Sequence, residues 1–124
     1  MNPKLEHDRS GSYLKFGGLE LELGKTHRLT LSLDRVWQTT RLVFHPCPFG
    51  ALITQFYFDD VPLFSNNGVP VELFSLSSTF PSLLFPRLVR GSSVVAELAT
   101  AEPVGPFAIR LYGFVPNSGG SKNG

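Results

Sequence analysis

Apolar and polar positions alternate with a period close to two along most of the chain. Leu19, Leu21 and Leu23 alternate with Glu20 and Glu22, and Leu29, Leu31 and Leu33 alternate with Arg28, Thr30 and Ser32. That period places one set of side chains on each face of a β-strand, so both runs read as half-buried strands. Gly24-Lys25-Thr26 lies between them, and the pair is expected to form a hairpin. A third strand is expected over Thr39–His45, ended by Pro46-Cys47-Pro48. Ala51–Phe58 follows with apolar residues in both phases: Leu52, Phe56 and Phe58 in one, Ala51, Ile53 and Tyr57 in the other. A strand of that kind is expected to be covered on both faces. Val61–Phe64 continues as a short edge, restricted by Pro62. Ser92–Ala99 alternates with Val94, Ala96 and Leu98 inward, and a last strand carries Phe107, Ile109 and Leu111 opposite Ala108, Arg110, Tyr112 and Phe114.

Helix is nearly excluded. Pro70-Val71-Glu72-Leu73-Phe74-Ser75-Leu76 is the one plausible helical turn, with Pro at a first helical position and Glu early in the turn. Residues 77–88 are apolar but broken by Pro81 and Pro86, which predicts an irregular crossing with a short strand inside it. Ten Pro and twelve Gly, spread along 124 residues, leave no room for long helices. The expected fold is an all-β, antiparallel two-sheet sandwich of jelly-roll type with about eight strands. Residues 1–10 read as a flexible polar arm, 11–116 as the single sandwich domain and 117–124 as a flexible Gly/Ser tail.

Composition narrows the functional classes. Hydrophobic residues make up 42% of the chain, with eleven Phe, three Tyr and one Trp, which excludes an intrinsically disordered chain. A formal charge of +1 gives no electrostatic reason to expect nucleic acid or an acidic membrane as partner. Cys47 is the only cysteine, so no intrachain disulfide can form. No run approaches the roughly 18 apolar residues of a membrane span, and Asn2–Ser10 is polar with no apolar signal core behind it. A chain made in the cytoplasm is expected.

The residues that could carry chemistry do not assemble into a motif. No nucleophile elbow, zinc-protease helix, phosphate-binding Gly loop or paired-Cys motif is present. His7, His27 and His45 fall on different segments, and no two share a strand face, so no metal site is expected. Asp59 and Asp60 are adjacent, which on a strand points them to opposite faces, and they read as turn residues. Prolines flank Cys47, and no helix start lowers its pKa. No catalytic residue and no cofactor are expected. An aromatic platform from Trp37, Tyr57, Tyr112 and Phe114 is the basis of an alternative, a carbohydrate- or small-ligand-binding sandwich.

The remaining signal is a surplus of apolar surface. Residues 51–58, 80–88 and 107–115 offer two apolar faces where a sandwich needs one, and exposed patches of that size mark contacts. Phe80, Leu83, Leu84, Phe85, Tyr112 and Phe114 are the expected subunit-interface residues. The segments Arg41-Leu42-Val43-Phe44-His45-Pro46, the strand through Phe58, Val69-Pro70-Val71-Glu72-Leu73-Phe74 and Pro106-Phe107-Ala108-Ile109-Arg110-Leu111-Tyr112-Gly113-Phe114 resemble small jelly-roll structural proteins of bacteriophages. The resemblance spans roughly residues 27–116 and is one of pattern. It implies a minor capsid, decoration or spike-base role in the virion, without catalysis, with copies of the same chain and other virion proteins as partners.

Overall fold

The structure is a computed structural model that describes residues 3–22, 25–64, 68–78, 84–100 and 104–116. Nine strands run through the described residues: β1 (Lys4–Asp8), β2 (Gly11–Leu21), β3 (Thr26–Ser32), β4 (Gln38–Phe44), β5 (Ala51–Phe58), β6 (Val61–Pro62), β7 (Val69–Pro70), β8 (Ser93–Thr100) and β9 (Val104–Phe114). They form two sheets, one of four strands in the order β1-β2-β9-β4 and one of five in the order β3-β8-β5-β6, with β7 also on β5. Every strand pair is antiparallel. The chain is therefore an all-β, two-sheet sandwich. The only helical element among the described residues is a 3-10 turn over Val71–Phe74, directly after Pro70.

The core lies between the sheets. Leu14, Phe16, Leu42, Phe44, Ile109 and Leu111 face it from the four-stranded sheet, and Leu31, Ile53, Phe56, Phe58, Val94, Ala96 and Leu98 from the other. Burial of that apolar area is the main force holding the layers together, at about 25 cal/mol per Å². The inward phases expected for β3, β8 and β9 are the ones observed. Leu29 is only half-buried, because β3 is an edge strand and covers the core on one side alone.

Four expectations are corrected. The two leucine runs do not form a hairpin: β2 pairs with β1 and β9, while β3 pairs with β8. Their leucines meet across the core from opposite sheets, since alternation specifies the buried face and not the neighbouring strand. Strand β5 does not bury two faces. Its ladder with β8 shifts between Ile53 and Gln55, and this bulge turns Ala51 and Ile53, then Phe56 and Phe58, to the same inner face. On the other face Leu52 is exposed, and the Thr54 hydroxyl donates to the Glu97 carbonyl at 3.0 Å. Residues 4–8 form the edge strand β1 rather than part of a free arm. Glu72 does not serve a helix dipole, because the turn is too short. Its carboxylate accepts the Gly50 N–H at 2.9 Å and ties the 46–50 loop to the 3-10 turn. The tail at 117–124 lies outside the described residues.

Candidate interaction surface

A strap of chain at 84–88 meets the start of β4. Trp37 and Leu88 exchange two backbone hydrogen bonds of 2.9 Å each. Gln38, the first residue of β4, sits opposite Phe114 at the end of β9, and its amide donates to the Phe85 carbonyl at 3.1 Å. Gln38 thus joins the strap at 84–88 to the end of β9. Around this junction the apolar side chains divide. Phe85 turns partly inward, its ring centroid 5.4 Å from that of Phe58. Leu84 points to solvent, 97% exposed, and Phe114 is 51% exposed. Val115 and Val89 are also exposed.

Of the six residues expected at an interface, Leu84 and Phe114 are exposed, and Gln38 links their stretches of chain by sitting opposite Phe114 and bonding to the Phe85 carbonyl. Phe80 and Leu83 lie outside the described residues. Phe85 is largely a core-edge residue, held there by Phe58. Tyr112 does not join the surface at all. It is buried with Tyr13 and Val43 on the outer face of the four-stranded sheet.

Tyr112 is buried there because a polar network roofs it, and the sequence reading missed that network. Alternation puts Tyr13, Arg110 and Tyr112 on the outer face, away from the leucines. The Tyr112 hydroxyl donates to Asp8 Oδ2 at 2.6 Å, and Arg110 donates to that hydroxyl at 2.8 Å and to Asp8 Oδ2 at 3.2 Å. The Arg110 guanidinium lies 4.3 Å from the Tyr13 ring centroid, and Tyr13 donates to Glu6 at 3.0 Å. Arg41 approaches the Tyr112 ring from the other side, 6.0 Å from its centroid, while donating to the Leu76 and Ser78 carbonyls. The Tyr112 hydroxyl holds the Asp8 carboxyl below its ordinary range, and burial pushes the Tyr112 phenol up. Of the four aromatics expected to form a platform, Trp37 and Tyr112 are buried and offer no ring face, while Tyr57 is half-buried and Phe114 exposed. The network's work is to fasten β1 to the sheet.

A cavity of about 520 Å³ opens beside the 46–50 loop, lined by His45, Pro46, Cys47, Phe49, Ser75, Leu76 and Ser77. Its walls are mostly apolar. Burial, with the Glu72 charge adding to it, pushes the Cys47 thiol up to about 11. The thiol is thus protonated and a poor nucleophile at neutral pH. Alkylation of the folded protein by iodoacetamide is expected to keep rising, about tenfold per pH unit, through pH 9 to 10, where an ordinary thiol of pKa about 8.5 has levelled off. A rate that has levelled off by about pH 9.5, as for an ordinary thiol, would contradict the assignment.

No family model, curated protein or solved structure matches the chain. The other chemistry-bearing residues are dispersed. His7 is on β1, the His27 ring accepts the Glu22 N–H at 2.7 Å, and His45 is at the cavity. Among the described residues no group of three or more His, Cys, Asp or Glu is placed to hold a metal ion. Asp59 occupies a left-handed turn conformation at φ 54° between β5 and β6, and its carboxylate accepts the Ser93 N–H at 3.0 Å. That is turn chemistry, and Asp60 is an exposed turn residue beside it.

Proposed function

We propose that the protein is a non-enzymatic structural subunit of a virus-like assembly, a phage capsid, decoration or spike-base protein, built on a jelly-roll form of the sandwich. Strand order supports the jelly-roll reading. Chain neighbours alternate between the sheets at β2 to β3, β3 to β4, β4 to β5 and β8 to β9, as two interleaved Greek keys require. In this reading β1 is an added edge strand, and the two short strands β6 and β7 share the place of one longer strand.

The observation that carries the assembly reading is the exposed apolar junction at Leu84 and Phe114, with Val115 beside it. It is narrower than the surplus inferred from the sequence, because the bulge in β5 removes that strand from the count. Large exposed apolar side chains gathered at one place mark a contact surface, and aromatic anchors such as Phe114 supply much of the energy of such contacts. The partners are further copies of the chain and other virion proteins, and the protein acts in the virion after synthesis in the host cytoplasm. Leu84→Ser combined with Phe114→Ser should leave a folded protein by circular dichroism but a smaller species by light scattering. An unchanged mass would show that the junction is not an interface. Phe85 is unsuitable for this test, since its ring packs against the core. The second reading, a small-ligand-binding sandwich, is favoured by the apolar cavity at His45 and Cys47.

A further inference from the structure

A sandwich has four sheet edges, and each carries unpaired backbone N–H and C=O groups that can recruit another strand. Three of the four are guarded here. Strand β1 presents Lys4, Glu6, His7 and Asp8. The side of β4 is bridged at both ends, by Trp37–Leu88 just before the strand and by Phe44–Ser75 at its last residue, and Arg41 pins the 76–78 turn beside it. Strands β6 and β7 are two residues long, and each contains a proline. Strand β3 is different. It runs seven residues, Thr-His-Arg-Leu-Thr-Leu-Ser, in unbroken register with β8 from Thr26 opposite Ala99 to Ser32 opposite Ser93. It has no proline or bulge, and among the described residues no strand pairs with its other side.

We infer that β3 is a self-pairing edge, at which a second copy of this chain adds its own β3 antiparallel about a two-fold axis through Leu29. Charge and pleat select that register. A one-residue slip would set inward Leu29 and Leu31 against outward polar residues. An axis through Arg28 would place that guanidinium opposite its own copy, which is destabilising. An axis through Thr30 would pair only part of the strand. The axis through Leu29 pairs the whole strand: Thr26 with Ser32, His27 with Leu31, Arg28 with Thr30, and Leu29 with itself. Arg28 then keeps its ion pair with Glu97 and meets a neutral hydroxyl across the new ladder. The two five-stranded sheets become continuous, in the order β6-β5-β8-β3-β3-β8-β5-β6. The inference stands apart from the Leu84 and Phe114 junction, which belongs to the far edge of the other sheet.

Thr30 gives a test with two opposite signs. It is exposed on β3, so substitutions there leave the core in place. In the pair it faces Arg28 of the second copy, and this contact occurs twice. Thr30→Arg should weaken dimerisation about fivefold or more, and Thr30→Glu should strengthen it by a similar factor. Both are read as dissociation constants by sedimentation velocity, with circular dichroism confirming the fold. Leu84→Ser with Phe114→Ser should leave this dimer intact, so the two surfaces can fail separately. The inference is overturned if the wild-type chain and the Leu84→Ser/Phe114→Ser variant are both monomeric at high micromolar concentration. It is also overturned if the two Thr30 substitutions shift the constant in the same direction or not at all. If Thr30→Arg does not fold, Thr30→Glu alone decides.

Discussion

Gly113→Ala is expected to prevent the native fold. Gly113 lies in β9 opposite Thr39, where the β4 ladder shifts between Thr39 and Arg41. A Cβ at this position would stand 1.9 Å from the Gln38 carbonyl oxygen, 2.9 Å from its carbon and 3.0 Å from the Thr39 Cα. All three are backbone atoms, so no side-chain rotation relieves the clash. The glycine is needed for close approach and not for a left-handed conformation. Relief requires the start of β4 to move away from β9, which also shifts Trp37, the residue just before it. Ordinary overpacking of a core costs about 1–3 kcal/mol. Here the obstruction is backbone, so the loss should exceed that range. Insoluble expression, or a urea midpoint lowered by more than half, is the expected result. A midpoint close to that of the wild type would mean that β4 and β9 are not in this register.

Trp37→Ala should be the next most damaging change. Trp37 is 1% exposed, is the only tryptophan, and donates its indole N–H to the Leu111 carbonyl at 3.2 Å. Its ring closes the core where the strap meets β4. Truncating a buried aromatic of this size costs about 3–5 kcal/mol through lost burial and the cavity left behind. That is a large part of the roughly 5–15 kcal/mol by which a domain of this kind is stable. Trp37→Phe keeps most of the volume and removes the hydrogen bond, so it should cost only about 1–2 kcal/mol. Urea denaturation followed by circular dichroism separates the two. Equal losses in both variants would place the energy in the hydrogen bond rather than in packing.

Much of the fold was legible because the inward-facing residues of β3, β8 and β9 follow the period of two in the sequence. Leu31, Val94, Ala96, Leu98, Ile109 and Leu111 all face inward as their phase predicts. Pairing was not legible, because Leu19–Leu21 and Leu29–Leu31 carry the same pattern whether they share a sheet or face each other across the core. The bulge in β5 was also hidden. Thr54 is an ordinary strand residue, and nothing in its chemistry announces the change of phase that turns Phe56 inward. Strand β1 escaped notice because an edge strand carrying Lys4, Glu6 and Asp8 looks like any polar terminus. What fastens it is the contact of Asp8 with Arg110 and Tyr112, more than a hundred residues away in the chain.

The candidate surface was legible in part, for a related reason. Exposure of Leu84 and Phe114 follows from an apolar count, whereas burial of Tyr112 depends on Arg110 and Arg41 closing over it. Phe85 shows the same limit. Its neighbour Leu84 has identical apolar character, yet backbone direction along the strap sends one side chain to Phe58 and the other to water.

Sedimentation velocity of the unmodified chain across a wide concentration range decides whether the chain self-associates as proposed. Two separate contact surfaces, the β3 edge and the Leu84–Phe114 junction, predict masses that pass beyond a dimer of the 13.6 kDa chain as concentration rises. A single monomeric boundary at every concentration would contradict it.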